Sequence, residues 1–159
     1  MENTFTTTQP DDQPPRILAL DFGARNIGLA VSDELGVTAQ GLPTLRRSTK
    51  RNDFDHVRRM IKQFHVTEIV VGLPLRMSGS EGIQSDKVQV FAEELRRRFK
   101  LPVHLFDERL TSVEANRLLR ETDMSTRQRA GAVDQLAAVL ILQSFLEFRK
   151  NKPNGPQAT

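Results

Sequence analysis

Three acidic residues occupy positions at which burial would make a carboxylate costly. Asp21 ends the apolar run 17–20, and Glu108 lies just beyond a second apolar run at 103–106. Asp134 lies near the start of an apolar segment close to the C-terminus. A buried carboxylate needs a cation, a metal or a catalytic role to offset the loss of its hydration. These three acids are therefore the candidate catalytic residues of the chain.

The three acids are expected to converge if the two apolar runs are strands that end at the same edge of one sheet. Ligands of α/β proteins bind beyond the carboxyl ends of the strands. Converging carboxylates repel one another unless cations neutralise them, and oxygen ligands favour Mg²⁺ or Mn²⁺. Two such ions about 3.5–4 Å apart would activate a water and stabilise the leaving oxygen in phosphodiester hydrolysis.

Each acid alone also has an ordinary structural explanation. Asp21 is compatible with a residue that ends a strand and starts a turn. Glu108 is compatible with an ion pair to Arg109, and Asp134 with a favourable charge near a helix N-terminus. Spacing alone does not choose between these roles and a metal site.

Apolar periodicity and turn residues predict strands that alternate with helices. Strands are predicted at 16–21, 27–32, 37–45, 66–71 and 103–106, and helices at 52–64, 85–100, 111–119 and 130–148. Asn52 or Asp53 is expected to cap the first helix, and Thr111 or Ser112 the third. A Gly- and Ser-rich loop is expected at 72–82, between the fourth predicted strand and the second predicted helix.

These elements predict an α/β fold with a mixed five-stranded sheet, an antiparallel meander followed by parallel strands. Gly41 and Pro43 favour an edge position for the third strand. The last helix is apolar nearly all round from 136 to 142, which predicts that it is buried. Residues 16–150 are expected to form one domain, with a disordered tail at 1–15 and a flexible tail at 151–159.

The composition of the 159 residues is typical of a globular protein with a basic surface. The net charge is +3, and the charged residues of the first fifteen are all acidic, so the remainder is more basic. This balance favours a polyanionic partner, although basic residues at 46, 47, 50, 51, 58, 59 and 62 are equally compatible with a solvated surface. No signal peptide and no apolar stretch of membrane-spanning length is expected. The absence of cysteine fits a cytoplasmic location.

Four sequence stretches resemble the YqgF (RuvX-type) family of the ribonuclease H-like superfamily, and the resemblance covers 16–149. These stretches are Leu-Asp-Phe-Gly at 20–23 with Ile-Gly-Leu-Ala at 27–30 and Ser-Asp at 32–33, Val-Gly-Leu-Pro at 71–74 with Ser-Gly-Ser at 78–80, Phe-Asp-Glu-Arg-Leu-Thr-Ser at 106–112, and Val-Asp-Gln-Leu-Ala-Ala at 133–138 with Ile-Leu-Gln at 141–143. Family members often carry other residues at Ala24, Arg25, Arg76 and Ser78. These departures concern loops and substrate contacts more than the three acids.

The resemblance implies a three-layer α/β/α fold and a divalent-metal-dependent nuclease. It assigns metal binding and catalysis to Asp21, Glu108 and Asp134, with two Mg²⁺ or Mn²⁺ ions. The implied activity is 5′-end maturation of precursor 16S rRNA. The alternatives are a Holliday junction resolvase and a non-catalytic nucleic-acid-binding factor of ribosome assembly. Implied partners are structured RNA, branched DNA or ribosomal precursor particles, with no membrane, and the chain would be a monomer or a homodimer.

Four further residues are candidates for substrate binding. Gly23 and Gly28 would let the hairpin turn beside a phosphate. Arg76 lies in the glycine-rich loop and would reach a phosphate, and Arg109 would contact the scissile phosphate or orient Glu108. A mobile connector and a structural ion pair are the ordinary alternatives for the two arginines.

A third functional class also shares part of this pattern. Actin-like kinases and ATPases use Asp-x-Gly on a β-hairpin for their first phosphate loop, so residues 21–28 alone do not exclude them. Such proteins generally need two such domains, whereas 159 residues supply one. Asp33, which ends the second predicted strand, is expected to close a turn.

Overall fold

The computed structural model describes residues 15–74, 79–108 and 126–152. Its elements are β1 (Arg16–Phe22), β2 (Asn26–Ser32), β3 (Ala39–Arg46), α1 (Lys50–Phe64), β4 (Val66–Leu73), α2 (Gly79–Phe99), β5 (Val103–Asp107) and α3 (Thr126–Asn151). The predicted helix at 111–119 and most of both predicted tails lie outside the described residues.

The five strands form one mixed sheet in the order β3-β2-β1-β4-β5. β2 pairs antiparallel with both β1 and β3, whereas β1, β4 and β5 run parallel. The predicted antiparallel meander followed by parallel strands is therefore confirmed, as is the edge position of β3. β1 lies at the centre of the sheet, so Asp21 near its end is flanked by β2 on one side and β4 on the other.

Alternate residues of β1 belong to two hydrophobic clusters on opposite faces of the sheet. Leu18 and Leu20 pack in the cluster that contains residues of α1 and α2, including Phe54 and Phe91. Ala19 packs in the other cluster, which contains buried residues of α3. Because side chains alternate along a strand, the side chain of Asp21 shares the α3 face with Ala19. The structure is thus the predicted three-layer α/β/α arrangement.

Helix α1 begins at Lys50, two residues before its predicted start. Its N-cap is Thr49, whose side chain accepts a hydrogen bond from the backbone N–H of Asn52 at 3.1 Å. Asp53 is buried and accepts one from the backbone N–H of Ser48 at 3.0 Å. The prediction of Asn52 or Asp53 as the cap was therefore wrong. Asp53 lies inside the first turn and accepts a backbone hydrogen bond from the residue before the cap, so in the sequence it resembles a capping residue.

Two other boundaries differ from the prediction. β4 continues to Leu73 and α2 begins at Gly79, so both elements extend into the stretch predicted as a loop at 72–82. Helix α3 also extends beyond its predicted range at both ends. Glycine and serine are tolerated at a helix start, so their presence did not mark this stretch as a loop.

Helix α3 is less buried than its apolar sequence predicts. Its buried hydrophobic residues are Ala138, Ile141, Leu142 and Phe145, and these contact the sheet. Gly131–Asn151 is long and apolar enough to span a membrane by length and composition, contrary to the expectation that no such stretch exists. The core helix of a globular protein passes the same test, and one side of α3 is buried against the sheet.

Candidate active site

The turn that follows Asp21 is closed by one backbone hydrogen bond. The N–H of Gly23 donates to the carbonyl of Asn26 at 2.9 Å. A Cβ atom at Gly23 would lie 2.8 Å from the same oxygen, so a larger residue would push the turn open. This packing explains Gly23 without a ligand, and its role beside a phosphate stays a prediction.

Gly28 brings the first part of α3 against the hairpin. It is the register partner of Asp21 across the β1–β2 pair. A Cβ atom built on Gly28 would lie only 2.0 Å from the backbone carbonyl oxygen of Asp134. The helix backbone therefore passes directly over this glycine, which places Asp134 beside the strand position opposite Asp21. The predicted substrate contact of Gly28 is untested, whereas its packing role is explicit.

Two hydrogen bonds fix α3 against the outer strand β3. The side chain of Gln135 donates to the carbonyl of Leu42 at 2.9 Å, and the hydroxyl of Thr44 donates to the carbonyl of Gly131 at 2.8 Å. Both bonds join residues more than 80 positions apart in sequence. They hold the start of α3 in register with the hairpin, so the position of Asp134 is set by the fold.

Glu108 reaches the same region from the other side of β1. It follows β5 directly, and β5 lies beside β4 with Gly72 opposite Phe106. A Cβ atom at Gly72 would lie 2.6 Å from Oε1 of Glu108. The absence of a side chain at Gly72 therefore leaves room for the carboxylate of Glu108 at the end of β4, from which it reaches Asp21.

The charges of the three acids are coupled through Asp21. Burial raises the pKa of Asp21 well above its usual value, and a hydrogen bond to Glu108 and the charge of Glu108 raise it further. Burial and the charge of Asp21 likewise raise the pKa of Asp134, although a hydrogen bond from the Asn26 side chain partly opposes this shift. The structure therefore brings together the three acids that the sequence singled out.

The donor chemistry of this group fits a divalent cation. All three groups offer oxygen atoms, and the hydrogen bond from Asp21 to Glu108 requires a proton between two acids that would otherwise repel. A hard cation would take the place of that proton. Within residues 15–74, 79–108 and 126–152, no three acids or histidines already form a ready-made metal cluster. A bound cation would therefore have to draw the three carboxylates closer.

Two of the predicted substrate-binding residues lie outside the described residues. These are Arg76 and Arg109, and Ser78 lies outside them as well. Their predicted contacts with phosphate remain predictions.

One residue at the site was missed by the sequence analysis. The guanidinium of Arg47 donates to the carbonyl oxygens of Gly23 and Ala24 at 3.0 and 3.2 Å. Its backbone N–H donates to the carbonyl of Arg25 at 2.8 Å, and its Cζ atom lies 4.3 Å from the ring centre of Phe22. Arg47 therefore holds the turn that follows Asp21, but the sequence shows it only as one member of a basic run.

Comparison with known proteins agrees with this arrangement. The RuvX family model, described as Holliday junction resolvase, matches residues 15–148. A protein of Koribacter versatilis, named "putative pre-16S rRNA nuclease", is 59% identical over 141 residues, which are 89% of this chain and 92% of that protein. A protein of the same name from Thermoanaerobacter pseudethanolicus is 48% identical over 138 residues, 86% of this chain and 99% of that protein.

Solved structures of resolvases share the fold at low sequence identity. Thermus thermophilus RuvC in complex with a Holliday junction superposes with a TM-score of 0.53 at 14% identity, and the match covers 86% of this chain and 96% of that chain. The fowlpox virus Holliday junction resolvase gives a TM-score of 0.50 at 13% identity, with 84% and 99% covered. These likenesses show a ribonuclease H-like resolvase fold, while the family follows from the sequence relatives: the chain belongs to the RuvX family and is a nuclease that hydrolyses phosphodiester bonds.

Proposed function

We propose that this nuclease uses divalent metal ions bound by Asp21, Glu108 and Asp134 to process the 5′ end of precursor 16S rRNA. The observation that carries the metal site is the coupling of the three acids around Asp21, where burial and mutual repulsion raise the pKa of Asp21 and Asp134. The proposal of precursor rRNA as the substrate rests on the names of the relatives. Mg²⁺ and Mn²⁺ are the proposed ions, and two of them the proposed number.

The residues of the chain have separate tasks in this proposal. A bound metal would supply an activated water and charge stabilisation for the departing oxygen. Asp21 and Glu108 would both hold the ion as carboxylates, and the positive charge would relieve the repulsion that raises the pKa of Asp21. Asn26 donates a hydrogen bond to Asp134 and orients that carboxylate. Arg47 fixes the carbonyls of the turn after Asp21 and keeps that strand end in place.

A second candidate function is the resolution of Holliday junctions. The description of the family and the resolvase fold favour it. A resolvase that cuts two symmetric strands would act as a two-fold dimer, so a monomer in light scattering would count against this role. A non-catalytic assembly factor on the same fold is the remaining alternative. Membership of the RuvX family supports a nuclease over the kinase alternative that the hairpin left open.

The location and partners follow from the same proposal. A nuclease that matures ribosomal RNA would act in the cytoplasm on ribosomal precursor particles. The basic body of the chain fits contact with a nucleic-acid backbone.

Cleavage of three substrates tests the proposal. A four-way DNA junction, precursor 16S rRNA and a short single-stranded RNA are incubated with Mn²⁺ and the wild type, Asp21→Asn or Asp33→Asn. Asp33 is the matched control, because it is an acid on the same hairpin at the opposite end. We expect the wild type and Asp33→Asn to cleave precursor rRNA and Asp21→Asn to fall to background. Equal cleavage by Asp21→Asn would reject the site, and binding without any cleavage would favour the assembly factor.

A further inference from the structure

Helix α1 presents a row of basic side chains to solvent. The helix carries five basic and two acidic residues. Arg51, Arg59 and Lys62 are exposed and recur at helical spacing, whereas Phe54 and Val57 are buried on the opposite side. We call Arg51, Arg59 and Lys62 the α1 row. At a rise of 1.5 Å per residue, the row extends over about 16 Å.

The two acids of α1 do not neutralise this row. Asp53 is buried and accepts a hydrogen bond from the backbone at the helix start. Asp55 pairs with Arg58, which lies outside the row, at 2.9 Å. Arg51 and Lys62 form no ion pair with any residue that the structure describes. The positive charge of the row is therefore available to a partner.

Arg59 contacts a histidine instead of an acid. A terminal nitrogen of its guanidinium lies 3.4 Å from Nδ1 of His56. Burial and the charge of Arg59 lower the pKa of His56, so this imidazole is neutral at neutral pH. All three members of the row thus keep an uncompensated positive charge.

The row begins at the edge of the sheet that carries the candidate active site. Three residues link Arg46, the last residue of β3, to the start of α1. Arg46 is the register partner of Asn26, which hydrogen-bonds to Asp134. Thr44 contacts α3, so the alternation of the strand places the side chain of Arg46 on the α3 face, which the three acids share.

A second exposed cation lies in the turn at this edge. The backbone carbonyl of Arg25 accepts a hydrogen bond from the N–H of the residue that follows Arg46, at 2.8 Å. Both arginines are exposed. Exposed basic residues therefore continue from the face of the three acids, around the end of the sheet, to the α1 row.

We propose that the phosphate backbone of the RNA beyond the cleaved bond runs past Arg25 and Arg46 and along the α1 row. The inference rests on the proposed function for RNA as the substrate. Arginine and lysine bind phosphate oxygens without reading bases. Charges repeated over about 16 Å along α1 suit an extended polyanion better than a single small anion. With no Trp or Tyr in the chain, contact with the backbone is favoured over stacking of bases.

RNA binding in metal-free buffer with EDTA tests this surface apart from the chemistry. A fluorescein-labelled precursor RNA that spans the proposed cleavage position is titrated by anisotropy over a range of NaCl concentrations. We expect Arg51→Gln/Lys62→Gln to raise the Kd about tenfold at low salt. The loss of two phosphate contacts should also make the slope of log K against log salt concentration shallower by about 1.4.

Two control variants separate a specific surface from net charge and from misfolding. Lys150→Gln/Lys152→Gln removes the same charge at exposed positions at the end of α3, and we expect its Kd and salt slope to equal those of the wild type. Arg51→Lys/Lys62→Arg keeps the charges and should restore binding. An unchanged Kd in Arg51→Gln/Lys62→Gln, or an equal loss in Lys150→Gln/Lys152→Gln, would overturn the proposal.

Cleavage with Mn²⁺ is assayed separately, so the two proposals fail in different ways. A wild type that binds RNA through the α1 row but cuts nothing would reject the proposed function and leave the surface standing. A wild type that cuts the RNA but binds it independently of the row would reject the surface alone.

Discussion

The two ends of the sheet treat their acidic residues in opposite ways. At the carboxyl end of β1, burial and neighbouring acids raise the pKa of Asp21 and Asp134. At the other end, the pKa values of Asp33 and Glu68 are lowered. The structural carboxylates therefore have hydrogen-bond donors or basic partners, whereas the carboxylates of the candidate active site lie beside one another and repel.

Ordinary contacts explain the acids of the structural end. Burial alone would raise the pKa of Glu68, but two hydrogen bonds from Arg149, at 2.7 and 3.0 Å, and the charges of Arg149 and His104 outweigh it. The backbone N–H groups of Val37 and Thr38 donate to Asp33 at 2.7 and 3.2 Å and lower its pKa. The predicted turn-closing role of Asp33 is confirmed.

The direction of the pKa shift separates the candidate catalytic acids from the structural acids more clearly than burial does. Stability alone would favour a basic or amide partner beside Asp21, as Arg149 partners Glu68. The candidate site keeps a stability cost instead, which is the usual pattern where a ligand completes the site. The following predictions test this contrast in order of decreasing expected effect.

Replacing Gly28 by Ala should cause the largest loss. The new Cβ would meet the carbonyl oxygen of Asp134 at 2.0 Å, so α3 must move away from the hairpin. We expect the free energy of unfolding to fall by about 3 kcal/mol in urea denaturation, since backbone cannot relax as a side chain does. Gly131→Ala is the control, because nothing lies within 4 Å of its Cβ position. A loss no greater than that of Gly131→Ala would contradict the close approach.

Replacing Arg47 by Lys should slow cleavage without unfolding the protein. Lysine lacks the planar guanidinium that bonds both turn carbonyls through one nitrogen and stacks on Phe22. We expect kcat on precursor rRNA to fall about tenfold through misplacement of Asp21, with weaker Mn²⁺ binding. Arg58→Lys is the control, since Arg58 pairs with Asp55 on an exposed helix surface. Unchanged kcat and Mn²⁺ affinity would show that Arg47 does not position the site.

Neutral substitutions at the two ends should change stability in opposite directions. In metal-free buffer at neutral pH, Asp21→Asn should raise the free energy of unfolding by about 1 kcal/mol, because asparagine has no carboxyl charge that must be buried or neutralised beside Glu108. Glu68→Gln should lower it by about 1 kcal/mol, because it weakens a charge-assisted pair. Urea denaturation of both variants checks the signs, and destabilisation by Asp21→Asn would contradict the repulsion.

The stability of the wild type should depend on pH in opposite directions through the acids at the two ends of the sheet. A raised pKa at Asp21 means that the folded state binds its proton more tightly, so this residue costs stability as pH rises above 3.8, the usual value. A lowered pKa at Glu68 adds stability above its usual value of 4.5, and that stability is lost as pH falls through the lowered value. The free energies of unfolding of Asp21→Asn and Glu68→Gln should therefore approach that of the wild type in acid.

Much of the fold followed from the sequence because the strands are strongly patterned. The order of the elements, the edge position of β3 and the convergence of Asp21, Glu108 and Asp134 were predicted. The cap at Thr49 and the turn contacts of Arg47 were not, because they depend on contacts that no periodicity encodes. The exposure of one side of α3 was also missed, since an apolar sequence does not say how many faces the sheet covers.

Titration calorimetry of Mn²⁺ into the metal-free protein at neutral pH tests the central claim most directly. The account predicts that the wild type and Glu68→Gln bind with similar affinity and that Asp21→Asn binds at least about tenfold more weakly. It also predicts weaker binding as the pH falls, because protons compete with the cation for the carboxylates of Asp21 and Asp134, whose pKa values are raised. Equal Mn²⁺ affinity of the wild type and Asp21→Asn would contradict the claim that these acids form a metal site.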